Sequence, residues 1–340
     1  MKKTLVALAV AATAATAVST ANAATVYEQD GTKVELSGSF RMFLGRLSND
    51  ERGDLVNDDS RIILKASQDL GNGLSGFAGY EIRFNDNSDS KSSFNDPTTN
   101  KLYGGFSHKD IGALSFGRQA TNSDDVLQDN GYYNSGEFGP LKTSGEKVVK
   151  FRSAEWNGFS FGLDYLFGDS NKDLTAETYK NGYGAALFYN YAINDNQALD
   201  FAAAYNQNNF EKPQNVIDNT DKDQRWLVHA GYTYGPLNVG LNYGQTRTKF
   251  IDSDDEKVRY SLVQASYQIV EPSRVYVQWE REDTREDQVL NKYLVGVDYK
   301  LHKNVLTYVQ YAHKRIKEYT DADPVTTKDH EYGVGLRVFF

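Results

Sequence analysis

The chain has 340 residues, a formal net charge of −9 and no cysteine. This acidic balance argues against nucleic acid as a partner, because phosphate binding requires a basic surface. A chain without cysteine has no disulfide bonds, no thiolate metal site and no cysteine nucleophile. Its 23 tyrosines and 18 phenylalanines stand against 6 prolines, a composition that favours β-strands.

The first residues have the order of a secretory signal peptide. Lys2 and Lys3 precede an apolar stretch that ends in the small residues Ala21-Asn22-Ala23, as a cleavage site requires. We expect residues 1–23 to be a signal peptide and residues 24–340 to form one exported domain. A membrane-spanning helix is the alternative, but the stretch is short and rich in alanine and threonine.

From Lys33 onward the chain repeats runs of alternating polar and apolar residues, separated in turn by short and long connections. In one run, Leu163 and Phe167 lie on one face of a predicted strand, while Ser160 and Asp164 lie on the other. Lipid on one side and water on the other explain two such faces. A soluble β-sandwich, whose apolar faces line a core, shows the same alternation and stays open as an alternative.

The connections favour a membrane barrel over a sandwich. Tight turns rich in glycine, asparagine and proline alternate with long charged loops, which is the plan of outer-membrane β-barrels. The predicted turns lie at residues 71–73, 109–112, 156–158, 194–196, 235–236, 271–273 and 302–304. The predicted loops lie at residues 48–58, 85–99, 119–146, 168–180, 207–222, 249–256, 282–287 and 318–328.

These connections delimit sixteen predicted strands, from about residues 33–47 to residues 331–340. The expected fold is all-β, a 16-stranded antiparallel transmembrane β-barrel. A barrel of this size leaves an aqueous lumen, whereas an eight-stranded barrel is filled by its own side chains. The sequence therefore predicts a channel in the outer membrane.

Sites for catalysis and metal binding are not expected. The five histidines are dispersed and belong to neither a G-x-S-x-G nor an H-E-x-x-H motif, which disfavours a hydrolase. The acidic runs 253–256 and 321–323 lack the glycine-containing loop of an EF-hand, so we expect no cofactor and no metal. A purely structural or adhesive barrel and a sugar-specific channel stay open as alternatives.

Several segments are similar to a known family, and their order and spacing carry more weight than any single one. They are residues 24–36, 60–65, 100–106, 116–118 and 137–139, and the terminal Phe340. The chain resembles the general diffusion porins of Gram-negative bacteria, especially the Pasteurella and Haemophilus type. This resemblance implies homotrimers of sixteen-stranded barrels, each with its third long loop folded into the lumen. The implied partners are outer-membrane lipid, lipopolysaccharide, and small hydrophilic solutes and ions.

Alternation also selects the side chains that face the lumen, where a charge avoids the roughly 2 to 4 kcal/mol that the lipid midplane would cost it. The lumen-facing charges selected in this way are mostly basic. The predicted basic wall of the pore constriction consists of Arg41, Arg61, Lys65, Arg83, Lys101, Lys150 and Arg152.

The longest connection, residues 119–146, supplies most of the predicted acidic side. An acidic loop opposite a basic wall would set a transverse field across the narrowest point. The predicted acidic side consists of Glu81, Asp124, Asp125, Asp129 and Glu137. The resemblance places Arg61, Lys101 and Glu137 at the constriction, and which acid accompanies Glu137 stays open.

Two further positions follow from the resemblance. Residue 144 is Ser where enteric members often have a wall arginine, and Lys147 or Lys150 is the expected substitute. Arg118 matches an arginine that contacts a neighbouring subunit's second loop, with Asp89 or Asp96 as the candidate partner. A simple surface arginine is the alternative, since an exposed ion pair contributes only about 1 kcal/mol or less.

Overall fold

The computed structural model describes residues 23–84, 94, 96–128, 131–132, 138–170, 178–211, 220–251, 253–284, 287–319 and 323–340. All but Ala23 of the expected signal peptide lies outside these ranges. Within them, no helix is long and apolar enough to cross a membrane.

Eighteen β-strands contain most of the described residues. They are β1 (Ala24–Gln29), β2 (Thr32–Arg46), β3 (Asp54–Asn57), β4 (Arg61–Gly71), β5 (Leu74–Arg83), β6 (Thr98–His108), β7 (Gly112–Ala120), β8 (Ser144–Ser153), β9 (Phe159–Phe167), β10 (Thr178–Asn194), β11 (Gln197–Glu211), β12 (Thr220–Tyr234), β13 (Leu237–Phe250), β14 (Glu256–Val270), β15 (Ser273–Asp283), β16 (Gln288–His302), β17 (Val305–Glu318) and β18 (Val325–Phe339).

The strands form one closed antiparallel sheet. From β4 to β18 each strand pairs with the next, and β18 closes the barrel by pairing with β2 from Ser39 to Arg46. The eighteen strands occupy sixteen wall positions because two positions are each shared by two strands. β1 and β18 lie one after the other along one edge of β2. β4 and β3 lie one after the other along its other edge. The predicted 16-stranded barrel is confirmed.

The distribution of burial explains why this sequence prefers a barrel in lipid. Along β9, Leu163 and Phe167 are 51% and 53% exposed, whereas Asp164 between them is 5% exposed. The same inversion, with apolar side chains outside and polar ones inside, recurs in β10, β11, β13 and β16. A soluble protein buries the opposite set. The outward face is therefore suited to lipid, and a solid two-layer core is excluded.

The short connections lie at one rim, as predicted. Asn72 and Asn157 each adopt a φ of 53° in the β4–β5 and β8–β9 turns, a conformation that asparagine tolerates better than most residues. Two strands were not predicted. The N-terminal strand β1 pairs its Gln29 with Thr32 across a tight turn, and β3 lies within the predicted loop 48–58.

Candidate functional site

The basic wall on β4, β5 and β6 is organised around one carboxylate. Glu81 is 4% exposed. Its oxygens lie 2.7 Å from Arg83 Nε, 3.3 Å from Lys101 Nζ and 3.6 Å from Arg61 Nη1. Arg83 also contacts Asp59 at 2.9 Å. Glu81, which the sequence analysis grouped with the acidic side, therefore lies on the wall among basic side chains.

The other predicted wall residues on β2 and β4 share this inner face. Arg41 Nε donates a hydrogen bond of 2.8 Å to Ser39 Oγ, and its backbone N–H donates to Ser60 Oγ at 2.9 Å. Lys65 pairs in register with Glu35 on β2 and is partly buried. Strand alternation thus places Arg41, Arg61 and Lys65 on one side of the sheet.

A second basic group lies on β8, against the start of the β7–β8 loop. Asn122–Asp125 form a short 3-10 helix in this loop, and Asp125 pairs with Arg152 at 3.3 Å. The Arg152 guanidinium also lies 3.6 Å from the centroid of the Phe188 ring, within cation–π range. Lys150 Nζ donates to the Ala120 carbonyl at 3.2 Å. Lys147 instead donates to the carbonyl of Gly168, so of these two lysines only Lys150 contacts the start of this loop.

The first residues of the β7–β8 loop, Asn122 and Ser123, make polar contacts with strands β9 and β11. Asn122 donates from its backbone N–H and its side-chain amide to Asp164 on β9, at 3.0 and 2.9 Å. Gly162 leaves the space for this contact, because a Cβ there would lie 2.1 Å from Asn122 Cγ. Farther around the barrel, Asn206 Nδ2 on β11 donates to Ser123 Oγ at 2.9 Å.

Apolar side chains of the same loop pack against wall residues beside these contacts. Val126, Phe138 and Leu141 pack in one buried cluster. The wall residues of this cluster are Ala186, Phe188, Ala202, Ala204, Leu227 and Leu262. The loop is therefore held by burial of apolar surface as well as by hydrogen bonds.

Tyr132, also in the β7–β8 loop, contacts a different part of the wall, formed by β15, β16, β17 and β18. Its ring stacks on Tyr308 at 4.7 Å, and its hydroxyl donates a 2.8 Å hydrogen bond to Asp298 Oδ2. Arg274 donates to that hydroxyl at 3.1 Å, and Arg337 donates to the Tyr132 carbonyl at 2.7 Å. Burial raises the pKa of the Tyr132 hydroxyl to about 12, which keeps it protonated and able to donate.

Arg337 has a second partner close by. Its Nη2 lies 2.6 Å from Asp58 Oδ2, and both side chains are largely buried. Burial raises the pKa of the Asp58 carboxyl above its ordinary value, and the charge of Arg337 opposes that rise. Arg337 therefore stabilises the charged form of Asp58, which burial alone would disfavour.

Several predicted residues are placed differently or lie outside the described part of the chain. Asp129, Glu137 and Asp89 fall outside the described residues. Asp124 lies in the 3-10 helix and is exposed. Arg118 is partly exposed; it contacts Glu146 at 3.2 Å and donates to the Asn100 carbonyl at 3.2 Å.

The group around Tyr132 was missed by the sequence analysis. Alternation along β15 to β18 already places Arg274, Asp298 and Arg337 on the inner face, so strand parity was a usable signal for them. No signal pointed to Tyr132, because an irregular loop has no period. Within the described residues, no group of histidine, aspartate and glutamate has the geometry to hold a metal ion.

Comparison with known proteins agrees with this geometry. A family model described as Gram-negative porin matches residues 5–319. The chain is 39% identical over 361 residues to a major outer membrane protein of Pasteurella multocida, covering 100% of both. OmpT of Vibrio cholerae has a similar fold, with a TM-score of 0.72 at 19% identity over 93% of this chain and 100% of that one. OmpT is also known in a trimer form. An anion-selective porin from Comamonas acidovorans gives a TM-score of 0.71 at 16% identity, over 91% and 100% of the two chains.

Proposed function

The chain belongs to the Gram-negative porin family, and we propose that it forms a water-filled channel for passive diffusion of ions and small hydrophilic solutes across the outer membrane. The observation that carries this proposal is the inversion of burial in a closed barrel of sixteen wall positions. Such a barrel is wide enough to contain water, and polar side chains line its inside.

We propose further that the β7–β8 loop crosses the lumen and narrows it. The support lies in its contacts with two separate parts of the wall. Residues Asn122 and Ser123 bind β9 and β11, while Tyr132 binds β15 to β18. If the loop is held at both parts of the wall, solutes pass through the space between the loop and the basic wall on β4 to β6.

The charges at this passage would determine which ions pass easily. Arg61, Arg83 and Lys101 outnumber Glu81 at the centre of their cluster. Asp124 and Asp125 lie on the loop. A transverse field between loop and wall orients dipolar solutes and separates ions by sign, without any catalytic group.

Purified full-length protein in planar lipid bilayers tests the channel directly. We expect stepwise conductance that rises with salt concentration, and a reversal potential in a salt gradient that reports ion preference. Uptake of uncharged sugars into liposomes should fall as sugar size increases. A folded barrel that gives neither current nor sugar uptake would identify a purely structural or adhesive protein instead.

We propose a homotrimer as the working form, with Arg118 near the subunit contact. The support is family membership, the trimer form of OmpT and the partial exposure of the Arg118 side chain. Arg118→Glu should reduce the proportion of trimer in detergent, measured by sedimentation. Retention of a full trimer would remove Arg118 from the contact.

We also propose that lipid and lipopolysaccharide surround the barrel. Outward aromatic residues Trp279 and Tyr293 pair in register on β15 and β16. One step closer to the long-loop rim, the next outward row includes Arg281, Arg315 and Lys328. Aromatic rings at the interface and cations beyond them suit a leaflet with anionic headgroups. Replacing the three cations with glutamate should lower the phosphorylated lipid that copurifies with the protein.

A further inference from the structure

A buried histidine connects the barrel wall to the β7–β8 loop at a third place. His229 lies on β12, and its side chain is 1% exposed. Its Nε2 is 2.8 Å from Asp200 Oδ2 on β11, and its Nδ1 is 2.9 Å from Asn242 Oδ1 on β13. Asn242 in turn donates from Nδ2 to the backbone carbonyl of Gln128 at 2.8 Å. A continuous chain of hydrogen bonds therefore runs from β11 to the loop.

The donors and acceptors along this chain indicate which ring nitrogens of His229 carry protons. The carbonyl of Gln128 only accepts, so Asn242 must present its NH2 group to the loop and its oxygen to His229. Asp200 presents a carboxylate oxygen on the other side. With Asp200 ionised, both ring nitrogens of His229 face acceptors, and each carries a proton. In this arrangement the ring is an imidazolium cation.

The alternative orientation of the Asn242 amide has a specific cost. Turned around, Asn242 would donate to an unprotonated Nδ1 and a neutral ring would suffice. Its oxygen would then face the Gln128 carbonyl oxygen, and the loop would lose its donor. Asn242 is 0% exposed, so water does not readily replace the lost hydrogen bond. Beside an ionised Asp200, a neutral histidine is therefore compatible with the wall but not with the bound loop.

The surrounding wall is shaped for the ion pair. Gly231 lies opposite Asp200 in the strand register, and a Cβ there would lie 2.3 Å from Asp200 Oδ1. The missing side chain leaves room for the carboxylate beside the ring. Pairing an imidazolium with a carboxylate satisfies both buried charges, whereas either charge alone would be costly in this position.

We propose that His229, protonated on both ring nitrogens and paired with Asp200, is a positioning residue that holds the β7–β8 loop at Gln128 through Asn242. Its effect on transport rests on the proposed function, because it requires that the loop borders the channel. Its effect on loop position does not. The two can therefore be measured separately.

The protonation is tested by nitrogen NMR of the full-length protein with labelled histidine, in lipid nanodiscs at neutral pH. The His229 signals are assigned by their loss in His229→Gln. We expect protons on both ring nitrogens of His229. A single protonated nitrogen would overturn the proposal.

Loop position is tested by spin labelling, since the chain contains no cysteine. A nitroxide on Gln128→Cys should be immobile in the parent protein. Loss of one hydrogen bond to a charged ring changes an equilibrium by about tenfold, so His229→Gln should raise the mobile fraction of the label by about tenfold. Asn242→Asp should do the same while both histidine protons remain, because it replaces only the donor to the loop with an acceptor.

The matched control is His302→Gln, at the β16–β17 turn. It should leave the label immobile. An immobile label in both His229→Gln and Asn242→Asp would show that this hydrogen-bond chain does not hold the loop. Conductance is recorded for the same variants, and we expect larger fluctuations of open-channel current. If the label is mobile in both variants but the parent protein conducts no current, the channel is contradicted and the positioning role of His229 is retained.

Discussion

Two walls of the barrel interior contain arginines in different surroundings. On β4 to β6, Arg61 and Arg83 flank Glu81, and their side chains are 15% and 22% exposed. On β15 to β18, Arg337 is 8% exposed and contacts both Asp58 and the backbone of Tyr132. The arginines of the first wall stay partly exposed, whereas that of the second wall is covered by a loop residue.

The difference shows that residue type alone does not assign a role inside a barrel. An arginine next to water contributes to the field that ions experience, because its charge is only partly compensated. An arginine that donates to a buried carbonyl and a carboxylate instead contributes to the position of the loop. We therefore expect substitutions on the first wall to change ion preference, and substitutions around Tyr132 to change the size of the opening.

The largest effect is expected from Tyr132→Ala, which removes the side-chain contacts of Tyr132 with the second wall. The lost ring stacking and charged hydrogen bonds are worth roughly 3 kcal/mol, or roughly a hundredfold in the docking equilibrium. Single-channel conductance should rise. Tyr132→Phe keeps the stacking on Tyr308 and should give an intermediate value. If Tyr132→Ala has the same conductance as the parent protein, the contacts of Tyr132 do not determine the size of the opening.

A smaller but clear effect is expected from Lys101→Glu on the first wall. The change of two charge units beside a passing ion is worth roughly 2 kcal/mol in water at about 4 Å, or roughly thirtyfold in the permeability ratio toward cations. Reversal potential in a salt gradient measures this shift. Lys257→Glu at the exposed start of β14 makes the same charge change and should leave the potential near the parent value. An unchanged potential in Lys101→Glu would remove Lys101 from the passage.

The first wall was accessible to sequence reasoning because strands have a period of two. Alternation placed Arg61, Arg83 and Lys101 on one face, and register then brought them together: Arg61 pairs with Arg83, and Glu81 with Lys101. What alternation could not supply was the direction of each side chain. Glu81 was therefore grouped with the loop acids although it lies between the basic residues.

The second wall was less accessible, for a physical reason. Its arginines lie on regular strands, but their partner Tyr132 lies in a loop without periodicity, at a position set by contacts with four strands more than 140 residues away in sequence. β1 escaped prediction because it is short and pairs with only part of β2. The inward fold of the loop and the roles of Asp129 and Glu137 stay predictions.

Glu81→Gln tests whether the negative charge on the first wall limits its preference for anions. Removing the central negative charge leaves three cations without their common partner, which favours anions by roughly 1 kcal/mol, or roughly fivefold in permeability. The reversal potential should therefore move opposite to that of Lys101→Glu. Glu146→Gln, at the exposed partner of Arg118, is the control and should change little. A shift toward cations in Glu81→Gln would mean that Glu81 does not compensate the wall.

The smallest effect is expected on the second wall, from the titration of Asp58. The pKa of this carboxyl is raised in the folded protein. The folded state therefore binds the proton more tightly than the unfolded chain, and the contribution of Asp58 to the unfolding free energy falls as pH rises through the raised pKa. Acidification neutralises Asp58 and leaves Arg337 uncompensated, so ion preference should move toward anions, by roughly twofold because the pair is set back behind Tyr132.

The variant Asp58→Asn isolates this titration from that of other lumen acids. At neutral pH it should already show part of the anion shift of the acidified parent protein, and its further shift between pH 7 and about pH 4 should be smaller. Asp254→Asn, at an exposed loop position, should titrate like the parent protein. If Asp58→Asn shows the full acid-induced shift in reversal potential, the charge of the second wall reaches the passage through a different group. The second wall would then differ from the first in being covered by Tyr132, but both walls would affect ion preference.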